Sequence, residues 1–352
     1  MKYPCFSPEE LKNKKVVVGF DGFVDSIVQP IRKNGDSSGI PKYFKTMTEF
    51  GTYIADHSRK NCSIELDTSS RRFGGNAPIL ANALADLGAD VLCVGTLDDD
   101  STSDVFQNMA CRKISYGKAG ISLALEFQDG KILLGQTMPC REPAWKEIKS
   151  RAPKIHDELT NAWLIAMVNW SELTYMDTLL SDIYRECFSG LLPEKKKVFY
   201  FDLADVTRRS DEEILSILKL ISCYAEKRYT VLGLNANEYA HICSVLGIDQ
   251  QNALVSDLLK KYAFDEVLIH TQNSNHAYCA SGAHFQYAFN VNETPCTLTG
   301  AGDHFNAGYC AGLLLGIPPE HRLQMASVFA SDYISRGETM SLEELLKSVF
   351  HA

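Results

Sequence analysis

Six short, continuously apolar runs separated by helical patterns constrain the fold of this 352-residue chain more than any other feature. The runs are Val16–Phe20, Val91–Gly95, Trp163–Val168, Val198–Phe201, Val231–Leu234 and Glu266–His270. A strand covered on one face alternates apolar and polar residues, whereas a strand buried on both faces does not. Between the runs, helical patterns cover Ala77–Leu87, Asp104–Arg112, Leu173–Phe188, Asp211–Glu226, Glu238–Leu246 and Gln251–Tyr262. This alternation predicts βαβ units and an α/β fold: a mostly parallel sheet with helices on both faces, three layers in all. Ligands in such sheets bind beyond the carboxyl ends of the strands.

Two segments break the rhythm. Gly120–Phe127, the turn Asp129-Gly130 and Lys131–Gly135 read as a hairpin. The stretch from Ser26 to Arg72 is long and mixed, with a candidate strand at Ser63–Leu66. Neither belongs in a central parallel sheet. Both are expected to form a small β lid, from segments near 26–72 and 113–142, on a single domain spanning 1–352.

Composition narrows the partners. With 35 basic and 44 acidic residues the net charge is −9, which disfavours nucleic acid and anionic membranes as partners. The 11 cysteines show no CxxC and no zinc spacing, so a metal cluster or redox dithiol is not expected. Glu9 and Glu10 stand where a signal peptide would be apolar, and a cytoplasmic location is the expectation.

The chemistry concentrates at Thr299-Gly300-Ala301-Gly302-Asp303, which leads into the apolar helical stretch Ala307–Ile317. Glycines allow successive N–H groups to converge, and a helix start adds unpaired N–H groups and its positive dipole end. The result is an anion cradle with a carboxylate at its edge. The carboxylate fits if it removes a proton from a hydroxyl that attacks a phosphoryl group. A bare helix cap is the alternative for Asp303. Phe305 replaces the third glycine of a dinucleotide fingerprint, and the P-loop and protein-kinase motifs are absent from the sequence.

Three further groups sit at strand ends or helix starts. Asn235 and Glu238 flank a helix start, where they serve either as cap and partner or as holders of a hydrated magnesium ion. Gly74-Gly75-Asn76 opens another helix and lets a ligand approach bare backbone; Asn76 either meets sugar hydroxyls or caps the helix. Asp21 and Asp25 follow the first strand and are placed to accept hydrogen bonds from a polyol.

In this order, Gly19…Asp25, Gly74-Gly75 leading to Leu87-Gly88, Asn235/Glu238 and Gly300-Ala301-Gly302-Asp303, the chain resembles the ribokinase-like (PfkB) carbohydrate kinase family. Val91–Gly95 with Asp99-Asp100, and the hairpin at Asp129-Gly130, fall at that family's second strand and lid. The resemblance implies an ATP- and Mg2+-dependent sugar kinase with Asp303 as base and Gly300, Ala301 and Gly302 as the anion hole. It further implies Asp25, Gly74 and Gly75 on the sugar, and Asn235 and Glu238 acting on magnesium through water. Thr271, Thr299, Ala326 and Ala330, with Asn235, fall on the nucleotide side. An arginine on the lid side, which steadies the phosphates in related enzymes, has no evident counterpart. Lids of this family pair between subunits, which implies a homodimer.

The chain departs from the family pattern at Thr297-Leu298, at Ile79, in the spacing of Asp25 and at Thr271-Gln272-Asn273. These places point to a divergent subgroup with an unspecified sugar. Two alternatives accompany the sugar kinase. One is a nucleoside kinase, with Phe20, Phe23 or Trp170 stacking a base. The other is a non-catalytic sensor of sugar or nucleotide.

Overall fold

The computed structural model describes residues 8–33, 41–98, 104–136, 144–248, 254–271, 273–289, 292, 295–297 and 299–350. Asp99, Asp100, Gln272, Leu298, the first three residues of the Gln251–Tyr262 pattern and parts of both lid segments lie outside the described residues.

All six apolar runs are strands of one sheet. In chain order the strands are β1 (Lys15–Gly19), β2 (Phe23–Lys33), β3 (Lys42–Tyr43), β4 (Leu66–Gly74), β5 (Asp90–Gly95), β6 (Arg112–Ser115) and β7 (Gly120–Phe127). They continue with β8 (Gly130–Gln136), β9 (Leu164–Val168), β10 (Val198–Asp202), β11 (Tyr229–Asn235), β12 (Glu266–His270), β13 (Ser274–Cys279) and β14 (His284–Ala288). The large sheet runs β14-β13-β12-β11-β10-β9-β1-β5-β6, parallel from β12 to β6, with β13 and β14 antiparallel at one edge.

Neighbouring side chains of one strand enter different cores. Val16 and Val18 pack with the helices Asn76–Asp86, Ala301–Leu314, Pro319–Arg336 and Leu342–Phe350. Val17 packs on the opposite face with Ala144–Arg151, Ile155–Asn161, Met176–Ile183, Asp211–Ala225, Ala236–Leu246 and Leu254–Tyr262. Burial on both faces is why the runs read as continuous rather than alternating.

A second sheet, β3-β2-β7-β8 with β4 paired to β2, forms beside the large one. Its own small core joins Val28, Phe44, Phe50 and Leu125, with helix Met47–Asp56 across it. The lid boundaries shift from expectation. Strand β6, which overlaps the start of the predicted 113–142 segment, belongs to the large sheet, and the second sheet resumes at Gly120. The candidate strand Ser63–Leu66 moves to Leu66–Gly74, whose exposed polar residues carry no apolar signal. The expected helix Asp104–Arg112 is a single 3-10 turn, Val105–Asn108, started by the Asp104 side chain on the Phe106 N–H. Val105, Phe106 and Met109 are buried there by the turn itself, and the chain then extends into β6.

Candidate active site

The carboxyl ends of the parallel strands deliver most of the polar groups. Asp21 follows β1, Asn169 follows β9, Asp202 ends β10, Asn235 ends β11 and Thr271 follows β12. Helices Asn76–Asp86 and Ala301–Leu314 both begin at this edge. Gly300 turns the chain into the second helix with φ +91°, a conformation that costs a glycine little.

Two cavities meet at this turn. One, of about 280 Å³, contains Asp303, Gly300, Thr299, Gly75, Asn76 and Asp25, and is roofed by Ser122, Lys131 and Leu133 of the lid. The other, of about 400 Å³, contains Ala301 and Gly302 together with Thr271, Phe289, Ala330 and Ile334. The loop Thr299–Asp303 therefore divides one site from another, with its carboxylate on one side and its helix-start backbone on the other.

Asp303 is 7% exposed, and its Oδ1 is buried without a hydrogen-bond partner. Burial, and then the charges of Asp202 and Asp21, hold it well above the usual carboxylate range; Lys131 and Asn76 oppose them. A carboxyl in that state is a stronger base once ionised than an exposed one. Asp25 is also pushed up by burial, against Arg72, Ser122 and Lys131. It pairs across the lid with Arg72 on β4 and Ser122 on β7.

Several expected residues take different places. Asp21 lies beneath the cavity. Its carboxylate accepts from the N–H groups of Asn76 and Ala77 at 2.8 and 2.7 Å, and from Asn169 Nδ2 at 2.7 Å. Burial lifts it to about 6 despite these bonds. It caps the helix Asn76–Asp86 and holds Asn169. Thr299 lines the Asp303 cavity. Ala326 is buried against Gly308, where an added Cβ would fall 2.9 Å from its Cα, while Ala330 lines the second cavity. Gly74 backs Asp25 and Gly75 faces the cavity.

Asn235 and Glu238 form a capping box. Asn235 Oδ1 accepts from the N–H groups of Asn237 and Glu238, while Glu238 accepts from the Asn235 N–H and side-chain amide. Burial, then Asp202 and Asp205, raise Glu238 to about 9. Among the described residues no three His, Cys, Asp or Glu side chains cluster to hold a metal ion directly. Because the oxygens of both residues already accept hydrogen bonds, the fit is to a hydrated ion held through water.

Three contributors escaped the sequence reading. Lys131 on β8 donates to Thr299 Oγ1 at 2.9 Å, bringing a lid cation to the loop. The hairpin signal covered it, but nothing local marked its direction. Arg72 on β4 has Nε and Nη2 buried without partners. Asn169 sits at φ +59° with Nδ2 on Asp21, leaving Oδ1 buried, unpartnered and facing the first cavity. Of the aromatic candidates, Phe23 lines that cavity, while Phe20 and Trp170 are core residues.

Comparison with known proteins gives the same architecture. The chain is similar to the ribokinase of Arabidopsis thaliana, solved with ribose and ATP, at a TM-score of 0.66 and 15% identity, covering 97% of this chain and 100% of that one. It is similar to the nucleoside kinase of Methanocaldococcus jannaschii, a ribokinase-family member, at 0.64 and 15%, covering 97% and 99%. In sequence, a ketohexokinase of Haloferax volcanii is 21% identical over 348 residues, covering 96% of this chain and 91% of that protein. The family model of prokaryotic ketohexokinases matches residues 6–350. The chain thus belongs to the prokaryotic ketohexokinase family, and is a carbohydrate kinase with the ribokinase fold.

Proposed function

We propose that this kinase transfers the γ-phosphoryl group of ATP to a hydroxyl of a ketohexose bound in the Asp303 cavity. One observation carries the reading: Asp303 and the backbone of Ala301 and Gly302 face two cavities that share a single loop. The nucleotide lies in the cavity of Thr271, Ala330 and Ile334, and the sugar beneath the lid against Asp25, Gly75, Asn76 and Asn169. The sugar oxygen bonds to phosphorus, its proton passes to Asp303, and the bond to the β-phosphate oxygen breaks to release ADP. The N–H groups of the loop meet the charge that develops on the transferred group. Lys131 and Arg72 supply cations from the lid side, in the position that the sequence left unassigned. Magnesium, held through water near Asn235 and Glu238, would neutralise phosphate charge.

The ketohexose is favoured by the family; of the three aromatics that could stack a nucleobase, Phe20 and Trp170 are buried in the core and Phe23 alone lines the cavity. Membership in a kinase family, with Asp303 retained, leaves the non-catalytic sensor without a supporting observation. Half-exposed Ile121 and Leu134 on the lid favour pairing of two lids in a homodimer.

The test is ADP release with magnesium, ATP and a panel of ketohexoses, aldohexoses, pentoses and nucleosides. Turnover should be highest with a ketohexose, and Asp303→Asn should lower kcat by roughly 10²–10⁴ while nucleotide binding persists. Wild-type turnover by that variant would refute Asp303 as the base.

A further inference from the structure

His304 follows the proposed base directly and has no role in the reaction as described. Its ring stacks on Tyr333 at 3.5 Å with an interplanar angle of 11°. Nδ1 lies 2.8 Å from the Gly300 carbonyl oxygen. A carbonyl only accepts, so Nδ1 carries the proton. Nε2 is left as an acceptor, 3.5 Å from Thr339 Oγ1. Burial lowers the imidazole to about 4, so the ring is neutral at ordinary pH. The Tyr333 hydroxyl donates to the Thr299 carbonyl at 3.2 Å. One aromatic pair thus holds the two consecutive carbonyls that precede the helix.

The consequence follows from peptide geometry. In a planar trans peptide the carbonyl and the following N–H point in opposite directions. Holding the Thr299 oxygen therefore sets the direction of the Gly300 N–H, and holding the Gly300 oxygen sets that of the Ala301 N–H. The Gly300 oxygen also accepts from the His304 N–H at 3.0 Å, the first bond of the helix, so the ring adds a second restraint there, while the Thr299 oxygen is held by Tyr333. Tyr333 stands on helix Pro319–Arg336, whose Ser327, Ala330, Ser331 and Ile334 line the second cavity. The restraint is thereby anchored to the wall of the nucleotide site rather than to the loop alone.

We propose that His304 and Tyr333 are positioning residues, a stacked clamp that aims the Gly300 and Ala301 N–H groups at the transferred phosphoryl group. The inference rests on the phosphoryl-transfer reading given above. Neither side chain touches substrate; both act through the two carbonyls.

Three variants test it. His304→Gln moves the amide donor to the Nε2 position, His304→Asn keeps a donor near the Nδ1 position, and Tyr333→Phe keeps the ring but removes the hydroxyl. Misaimed donors should cost about 10–100-fold in kcat for His304→Gln, with the sugar KM and ADP affinity held within about twofold. His304→Asn should recover most of the loss. Binding of ADP with aluminium fluoride and sugar, which mimics the transferring group, should weaken in His304→Gln by a similar factor, while ADP alone binds as in wild type. Tyr333→Phe should show the same pattern in smaller measure, and keeps the test open if the His304 variants do not fold. Equal losses in His304→Asn and His304→Gln, or parallel losses of ADP and ADP–aluminium fluoride affinity, would overturn the clamp. Asp303→Asn run alongside separates the two readings. If it is inactive while His304→Gln and Tyr333→Phe turn over normally, only the clamp fails; if it is active, the underlying mechanism fails.

Discussion

Lys131 Nζ, carried on a lid strand, donates to Oγ1 of Thr299 at 2.9 Å, so the lid touches the Thr299–Asp303 loop where the two cavities meet. Burial lowers the lysine, with Arg72 adding to the effect, while Asp25, Glu126 and Asp303 oppose it. In the proposed transfer a cation here neutralises charge on the transferred group. Lys131→Met should reduce kcat by roughly 10–100-fold, with a smaller change in ATP affinity. Steady-state kinetics with varied sugar and varied ATP separates the two effects.

The acid limb of the pH profile should follow Asp303. A base acts when deprotonated, so the rate rises as pH climbs through its pKa. Lys131 pulls that pKa down and Asp202 pushes it up. Lys131→Met should therefore move the limb of kcat/KM to higher pH, and Asp202→Asn to lower pH. Shifts in the same direction for both variants would assign the limb to another group.

Gly74 leaves no room for a side chain, since an added Cβ would lie 2.2 Å from the Asp25 carboxyl carbon. Gly74→Ala should displace Asp25 and raise the sugar KM by about 10-fold or more, with the ATP KM little changed. Gly51→Ala, in the lid helix with nothing within 4 Å of the added carbon, is the control. It should leave both constants alone and add up to about 1 kcal/mol of stability.

Asn169 tolerates glycine in its backbone conformation, since φ is +59°. Asn169→Gly removes the Oδ1 acceptor and one donor to Asp21 without adding strain. The sugar KM should rise by about 10-fold. Deoxy-sugar analogues give the check: the variant should cease to distinguish the parent sugar from the analogue lacking the hydroxyl that Asn169 accepts.

Away from the site, Arg322 pairs with the fully buried Glu266, which also accepts from the hydroxyls of Tyr229 and Tyr309, each at 2.8 Å. Arg322→Met leaves a buried charge uncompensated and should cost about 3–5 kcal/mol in denaturant unfolding. Adding Glu266→Gln should return part of that, with sugar KM unaffected in both.

The central architecture was legible because its signal is local. Runs such as Val16–Phe20 and Val231–Leu234 are buried on both faces, and that burial writes itself into contiguous residues. Where burial was partial the signal faded. Strands β13 and β14 at the sheet edge alternate more and less buried residues, and β4 in the lid is polar from Asp67 through Arg72. Asp104–Arg112 carried helical spacing, yet a single turn suffices to bury Val105, Phe106 and Met109.

By itself the sequence determined the α/β class and the glycine-rich loop with its carboxylate, since both depend on residues adjacent in the chain. Only the tertiary structure decided which side of that loop each residue serves. Asp21 caps a helix, Thr299 faces the Asp303 cavity, and Lys131 arrives from 168 positions away to meet it. The reason is directional: a side chain's role here depends on where a strand end, a lid register or a stacked ring aims it. Such directions are set by contacts between elements far apart in sequence, which no local pattern records.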